Sequence, residues 1–102
     1  QIDKLQVMDE KLKAGLNIQV STVKNNFLNS WKVYQNKKDG LELSLKIYEK
    51  TRQKLKEGVS SSIELQQNYN QYLNSERDYV MAILDLLNNK LQLEELLTEY
   101  KN

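Results

Sequence analysis

Lys54-Leu55-Lys56-Glu57-Gly58-Val59-Ser60-Ser61-Ser62-Ile63-Glu64 lies just past the middle of the 102-residue chain and decides its fold. Gly58 suits the left-handed backbone position that closes a helix, and Lys54 and Lys56 sit where the negative end of that helix favours cations. Three serines follow, and Ser61 with Glu64 forms the Ser-x-x-Glu spacing of a capping box, which starts a helix. A stop signal and a start signal three residues apart leave room only for a tight turn. The expected fold is therefore all-α: a long antiparallel helical hairpin, with a helix over about 1–57, a turn at 58–61 and a second helix over about 62–100.

Composition agrees with long helices. The chain has no Pro, three Gly, 39% hydrophobic and 28% charged residues. Gly15 and the Asp39-Gly40 pair are rival break points, but neither is followed by a helix-start signal. A glycine inside a helix costs about 1 kcal/mol relative to Ala, which a long packed helix absorbs. Continuity is expected at both, with a break at Gly15 as the alternative, because Lys11 to Asn17 echoes Lys54 to Ser60 in its residue types.

The apolar spacing extends this reading along both arms. On the first, Leu5, Asp9, Leu12, Leu16, Val20, Val23, Phe27, Trp31, Tyr34, Lys38, Leu41, Leu45, Tyr48, Arg52 and Leu55 follow steps of three and four. The repeat is strictly 3.5 residues from Phe27 onward, so supercoiling is expected toward the turn. On the second, Leu65, Tyr69, Tyr72, Glu76, Tyr79, Ile83, Leu86, Lys90, Leu93, Leu97 and Tyr100 alternate in the same way. A further apolar line, Leu73, Val80, Leu84, Leu87 and Leu91, implies another neighbour for that helix, unless it only widens the hairpin's own core near its base. If paired residue numbers add to about 119, Asn102 lies opposite residue 17, and Gln1 to Leu16 have no partner inside the hairpin.

Charge is divided between the arms. Residues 1–56 hold twelve Lys/Arg against six Asp/Glu, a net +6; residues 57–102 hold three against eight, a net −5. A basic stripe that includes Lys32, Lys46, Lys50 and Lys56 raises the question of nucleic acid. An acidic arm of nearly equal charge in the same chain favours two solvated helices lying side by side, so no nucleic-acid partner is expected.

Chemistry has little to draw on. With no Cys and no His, thiol nucleophiles, imidazole bases and the common soft-metal ligands are absent. The carboxylate pairs Glu94-Glu95 and Glu76 with Asp78 fall on a solvated helix surface. Tyr69, Tyr72, Tyr79 and Trp31 read as packing residues. No catalytic, cofactor-binding or metal-binding residue is assigned, and an enzyme is not expected. The chain opens Gln-Ile-Asp with no initiator Met, and it reads as one hairpin spanning residues 1–102 of a larger protein.

Several stretches, taken in order, resemble one family. Val23-Lys24-Asn25-Asn26-Phe27, Trp31-Lys32-Val33-Tyr34, Leu41 to Thr51 and the Lys54-Leu55-Lys56-Glu57-Gly58-Val59-Ser60-Ser61 turn are similar to the TolC family of outer-membrane efflux proteins. The likeness continues through Glu64-Leu65, Asn70 to Leu73 and Tyr79 to Asn88, so that it covers about residues 18–97. The resemblance implies a trimeric outer-membrane duct whose periplasmic helical hairpins close into a hollow α-barrel. The turn Gly58, Val59, Ser60 and Ser61 is then the periplasmic tip that meets a membrane-fusion adaptor, Glu64 is the candidate lumen-facing acid, and Leu73, Val80, Leu84, Leu87 and Leu91 pack on neighbouring hairpins of the same channel. Where family members carry polar links around the turn, this chain has Leu55 and Ser60, and the next lining acid matches Gln67. A general coiled-coil interaction or scaffold hairpin, such as an adaptor's own, fits the composition and stripes equally well.

Overall fold

The computed structural model describes residues 2–101, with side chains described for Gln6, Met8 and residues 10–99. Helix α1 runs Ile2–Lys56 and helix α2 runs Ser62–Lys101; the two lie antiparallel in a rod of 85 × 18 × 14 Å. Gly15 and Gly40 are both inside α1, which continues through them. Beyond the end of α2, the described side chains of Met8 and Leu12 are exposed, and Leu16 is the first half-buried residue among the described side chains of α1. Leu5, Asp9 and Tyr100 of the expected stripes lie outside the described side chains.

The turn is built by the local signals of the sequence. Gly58 has φ of 79°, the left-handed region. Its N–H donates to the Leu55 carbonyl at 3.0 Å, and the Val59 N–H donates to the Lys54 carbonyl at 2.9 Å. These two bonds are the Schellman pattern that satisfies the last carbonyls of a helix. Ser61 then caps α2, its hydroxyl accepting the Glu64 N–H at 3.1 Å. The reciprocal arm of the capping box is replaced: the Glu64 carboxylate accepts the hydroxyl of Ser60 at 2.7 Å.

The seam between the helices differs from the expected stripes in a systematic way. Phe27, Tyr34, Leu41, Tyr48 and Leu55 on α1, and Leu65, Tyr72, Tyr79, Leu86 and Leu93 on α2, are half-buried as expected. Among the alternate positions Leu45 and Ile83 are half-buried as expected, and at the others burial shifts by one residue. Trp31, Lys38 and Arg52 are exposed, as are Tyr69, Glu76, Lys90 and Leu97; the residues that close the seam are Ser30, Ser44 and Thr51 against Asn68, Ser75, Ala82, Asn89 and Leu96. Those on α2 recur every seven residues, the heptad spacing of a two-helix seam. Small side chains win there because they let the backbones approach, whereas Trp or Arg would hold the helices apart.

Two polar rungs tie the seam. The Asn68 amide donates to the Thr51 hydroxyl at 2.6 Å, and the Asn89 amide donates to the Ser30 hydroxyl at 2.9 Å. Each hydroxyl in turn donates to its own helix, Thr51 to the Ile47 carbonyl at 2.9 Å and Ser30 to the Asn26 carbonyl at 2.8 Å. Among the described residues no buried side-chain nitrogen or oxygen lacks a partner. The residue numbers of each rung add to 119, the register expected from the turn. The rungs stand three heptads, about 31 Å, apart. A slip of one heptad would break both bonds, so they fix the register as buried polar groups do in coiled coils.

Candidate functional site

The tip presents a small, open surface. Val59 is 74% exposed, so it does not fold back on the last turn of α1 as the hydrophobic residue after a Schellman turn often does. Ser61 and Ser62 are exposed beside it, while Ser60 is half-buried and held by Glu64. A Cβ built on Gly58 meets nothing within 4 Å. Glycine is therefore required by the backbone angle alone, and the space above it is free for another molecule. The Glu64 carboxylate is exposed, but it is committed to the Ser60 hydroxyl. At the places where a polar link across the turn was of interest, Leu55 is half-buried at the base of the turn and Ser60 bonds to Glu64 within α2's first turn.

The second candidate surface is the outer side of α2. Leu73, Val80, Leu84, Leu87 and Leu91 are all exposed, from two-fifths to just over half of their area. They occupy the heptad positions that point away from α1, so they do not widen the hairpin's core. They form a continuous apolar strip interrupted only by Arg77.

Aromatic residues cluster at two heights of the seam. Tyr48 lies 5.3 Å from Tyr69 and 6.2 Å from Tyr72 between ring centroids; farther from the turn, Tyr34 lies 5.5 Å from Trp31 and 5.6 Å from Tyr79. These separations are those of packed aromatic pairs. The side-chain contact with Tyr34, and then partial desolvation, hold the Tyr79 hydroxyl above the usual phenol range.

Glu76, Asp78, Glu94 and Glu95 are exposed on α2. Among the described residues there is no group of three or more carboxylates placed to hold a metal ion, and no helix is long and apolar enough to cross a membrane. Shallow clefts lie along the rod, among them a groove between the helices lined by Asn26, Ser30, Val33, Ala82, Asp85 and Asn89.

The polar rungs escaped a reading based on apolar spacing. The signal that could have found them was the recurrence of Ser, Asn and Ala at intervals of seven on α2. Comparison of the chain with family models, with curated proteins and with solved structures gives no match in any of the three.

Proposed function

We propose that this chain is a periplasmic α-barrel hairpin of a trimeric outer-membrane efflux duct of the TolC type. Its turn docks onto the membrane-fusion adaptor of a tripartite export pump. The reading rests on the ordered resemblance of residues 18–97, with the Gly-Val-Ser-Ser turn as its most specific part. The observation that carries it is the tip itself: a glycine with open space above it, an uncommitted valine and exposed serines at the end of an 85 Å rod.

The mechanism is one of shape. A tip without bulky side chains lets a second helical tip approach its backbone, while serine hydroxyls supply hydrogen bonds and Val59 supplies apolar contact. The outer strip of α2 would pack on neighbouring hairpins of the same channel, and substrate would pass along the enclosed lumen.

The chain contains no Cys, so Val59→Cys gives a single reactive thiol at the tip. In the protein as expressed in its own cell envelope, a thiol-directed cross-linker at that position is expected to capture an adaptor subunit. Gly58→Leu, which forces a side chain into left-handed backbone at about 1–2 kcal/mol, is expected to weaken docking and export while helix content stays nearly unchanged. Unimpaired export by Gly58→Leu, with no adaptor captured at position 59, would sink the duct. Capture confined to the outer strip of α2 would favour a coiled-coil scaffold hairpin.

A further inference from the structure

The opposite charges of the two arms do not meet near the turn. In the register set by the rungs, residues 46–56 of α1 lie level with residues 63–73 of α2. Lys46, Lys50, Arg52, Lys54 and Lys56 are all exposed on the first stretch, and Glu64 is the only charged residue on the second. Its carboxylate is engaged by the Ser60 hydroxyl. The tip section, residues 46–73, holds five Lys/Arg against three Asp/Glu, a net +2. The section behind it, residues 20–45 with 74–99, holds six against eight, a net −2. The rod is polarised along its length, with the positive end at the turn.

Neighbours along α1 do little to offset these cations. The negative end of the helix accounts for Lys54 and Lys56, but Lys50 and Arg52 stand a turn earlier. Lys50 lies four residues from both Lys46 and Lys54, and Arg52 lies four from Lys56, a spacing at which like charges repel on a helix. Glu49 and Glu57 are the only acids in residues 46–57, and among the described residues none of the five cations makes an ion pair. Arg52 and Lys56, one turn apart, line a shallow cleft on α1 with Glu49 and Gln53. A guanidinium there offers a carboxylate two parallel N–H donors, and the ammonium adds a point charge.

We infer that the protein met by the tip carries carboxylates beside its own docking end, and that they seat in the Arg52–Lys56 cleft, with Lys50 and Lys54 extending the positive surface around the helix. The inference deepens the docking reading and rests on it for the presence of a partner at the turn; the acidic character of that partner comes from the charge layout alone. Two copies of this chain meeting turn to turn would set like charges against each other, which disfavours a second copy as the occupant. Gln53, in the middle of the cleft, lies five residues before Gly58, about 8 Å along the helix axis. The partner therefore overlaps the end of α1 instead of abutting the turn alone. Open space at Gly58 and the exposed Val59 allow the approach, and the cations set its orientation and rate.

The test uses the chain in its own cell envelope, with Val59→Cys as the cross-linking site. Arg52→Glu together with Lys56→Glu is expected to cut capture at position 59 by about ten-fold or more. Arg52→Lys with Lys56→Arg keeps both charges and should retain most of the capture. Circular dichroism should give both charge variants the helix content of their parent. Gln53→Cys should link the same partner through a segment that has Asp or Glu within one turn of the linked residue. The inference is overturned if the Glu variant captures as well as its parent, if the charge-keeping variant loses capture equally, or if the segment linked at position 53 holds no carboxylate. An absence of capture at position 59 with all charges intact sinks the docking reading and the inference with it, whereas the other three outcomes sink the inference alone.

Discussion

Two faces of α2 at the same height use apolar residues differently. Toward α1 the helix presents Asn68, Ser75, Ala82 and Asn89, and Ala82 is 3% exposed. On the outer side it presents Leu73, Val80, Leu84, Leu87 and Leu91, and Leu84 is 56% exposed. The face toward α1 buries small and polar residues beside Tyr72, Tyr79, Ile83 and Leu86, while a second, leucine-rich face is bare. In a self-sufficient hairpin the larger apolar residues would occupy the seam, because burying a leucine is worth about 1.5–3 kcal/mol. Their place on the outside means that the small seam residues set distance and register, while a share of the apolar surface is left for a contact beyond the hairpin.

That contrast can be broken by substitution. The largest effect is expected at Ala82, where Ala82→Leu overpacks a position that is only 3% exposed. A loss of about 1–3 kcal/mol should appear as a lower thermal midpoint by circular dichroism. Next is Ser30→Ala, which leaves the Asn89 amide without its acceptor and should cost about 1–2 kcal/mol. A double-mutant cycle with Asn89→Ala should return a coupling of about 0.5–1.5 kcal/mol, and additive values would mean that the rung contributes nothing. Leu84→Gln on the outer face is expected to change the unfolding of the dilute hairpin by less than about 0.5 kcal/mol. The same change should abolish any dependence of the midpoint on protein concentration. A large loss in dilute solution would show that the outer strip belongs to the hairpin's own core.

The smallest effect concerns pH. The hydroxyl of Tyr79 is held above the ordinary phenol value by Tyr34. Its folded form keeps the proton more tightly than the unfolded chain does. The stability this contributes is present below the unfolded value, near pH 10, and is lost as pH rises through the raised folded value. Helix content followed by circular dichroism should therefore be flat with respect to this group up to about pH 10, and Tyr79→Phe should remove only the alkaline decline.

Much of the fold was legible because its signals are local. Lys54, Lys56, Gly58, Ser61 and Glu64 specify the turn through bonds that span three to five residues, and the structure forms most of them as the sequence suggests. The departure, Glu64 reaching Ser60 instead of completing the capping box, is a choice between two nearby donors. The large seam residues, such as Tyr34, Tyr48 and Leu86, were legible from their period. Most of their alternates were not, because the stripe one residue away, through Trp31 and Leu97, has the same 3.5 repeat and more apolar area; on it only Leu45 and Ile83 stay half-buried, beside Ser44 and Ala82.

The sequence by itself determined two helices, one reversal at Gly58 and the level at which the arms face each other, since capping and backbone angle act within a few residues. Tertiary structure decided which line of each helix became the seam, which tyrosines met, and which leucines were left bare. These outcomes depend on the distance between two helix axes, and that distance is set by the bulk of side chains from both arms at once, a quantity that neither arm's spacing contains.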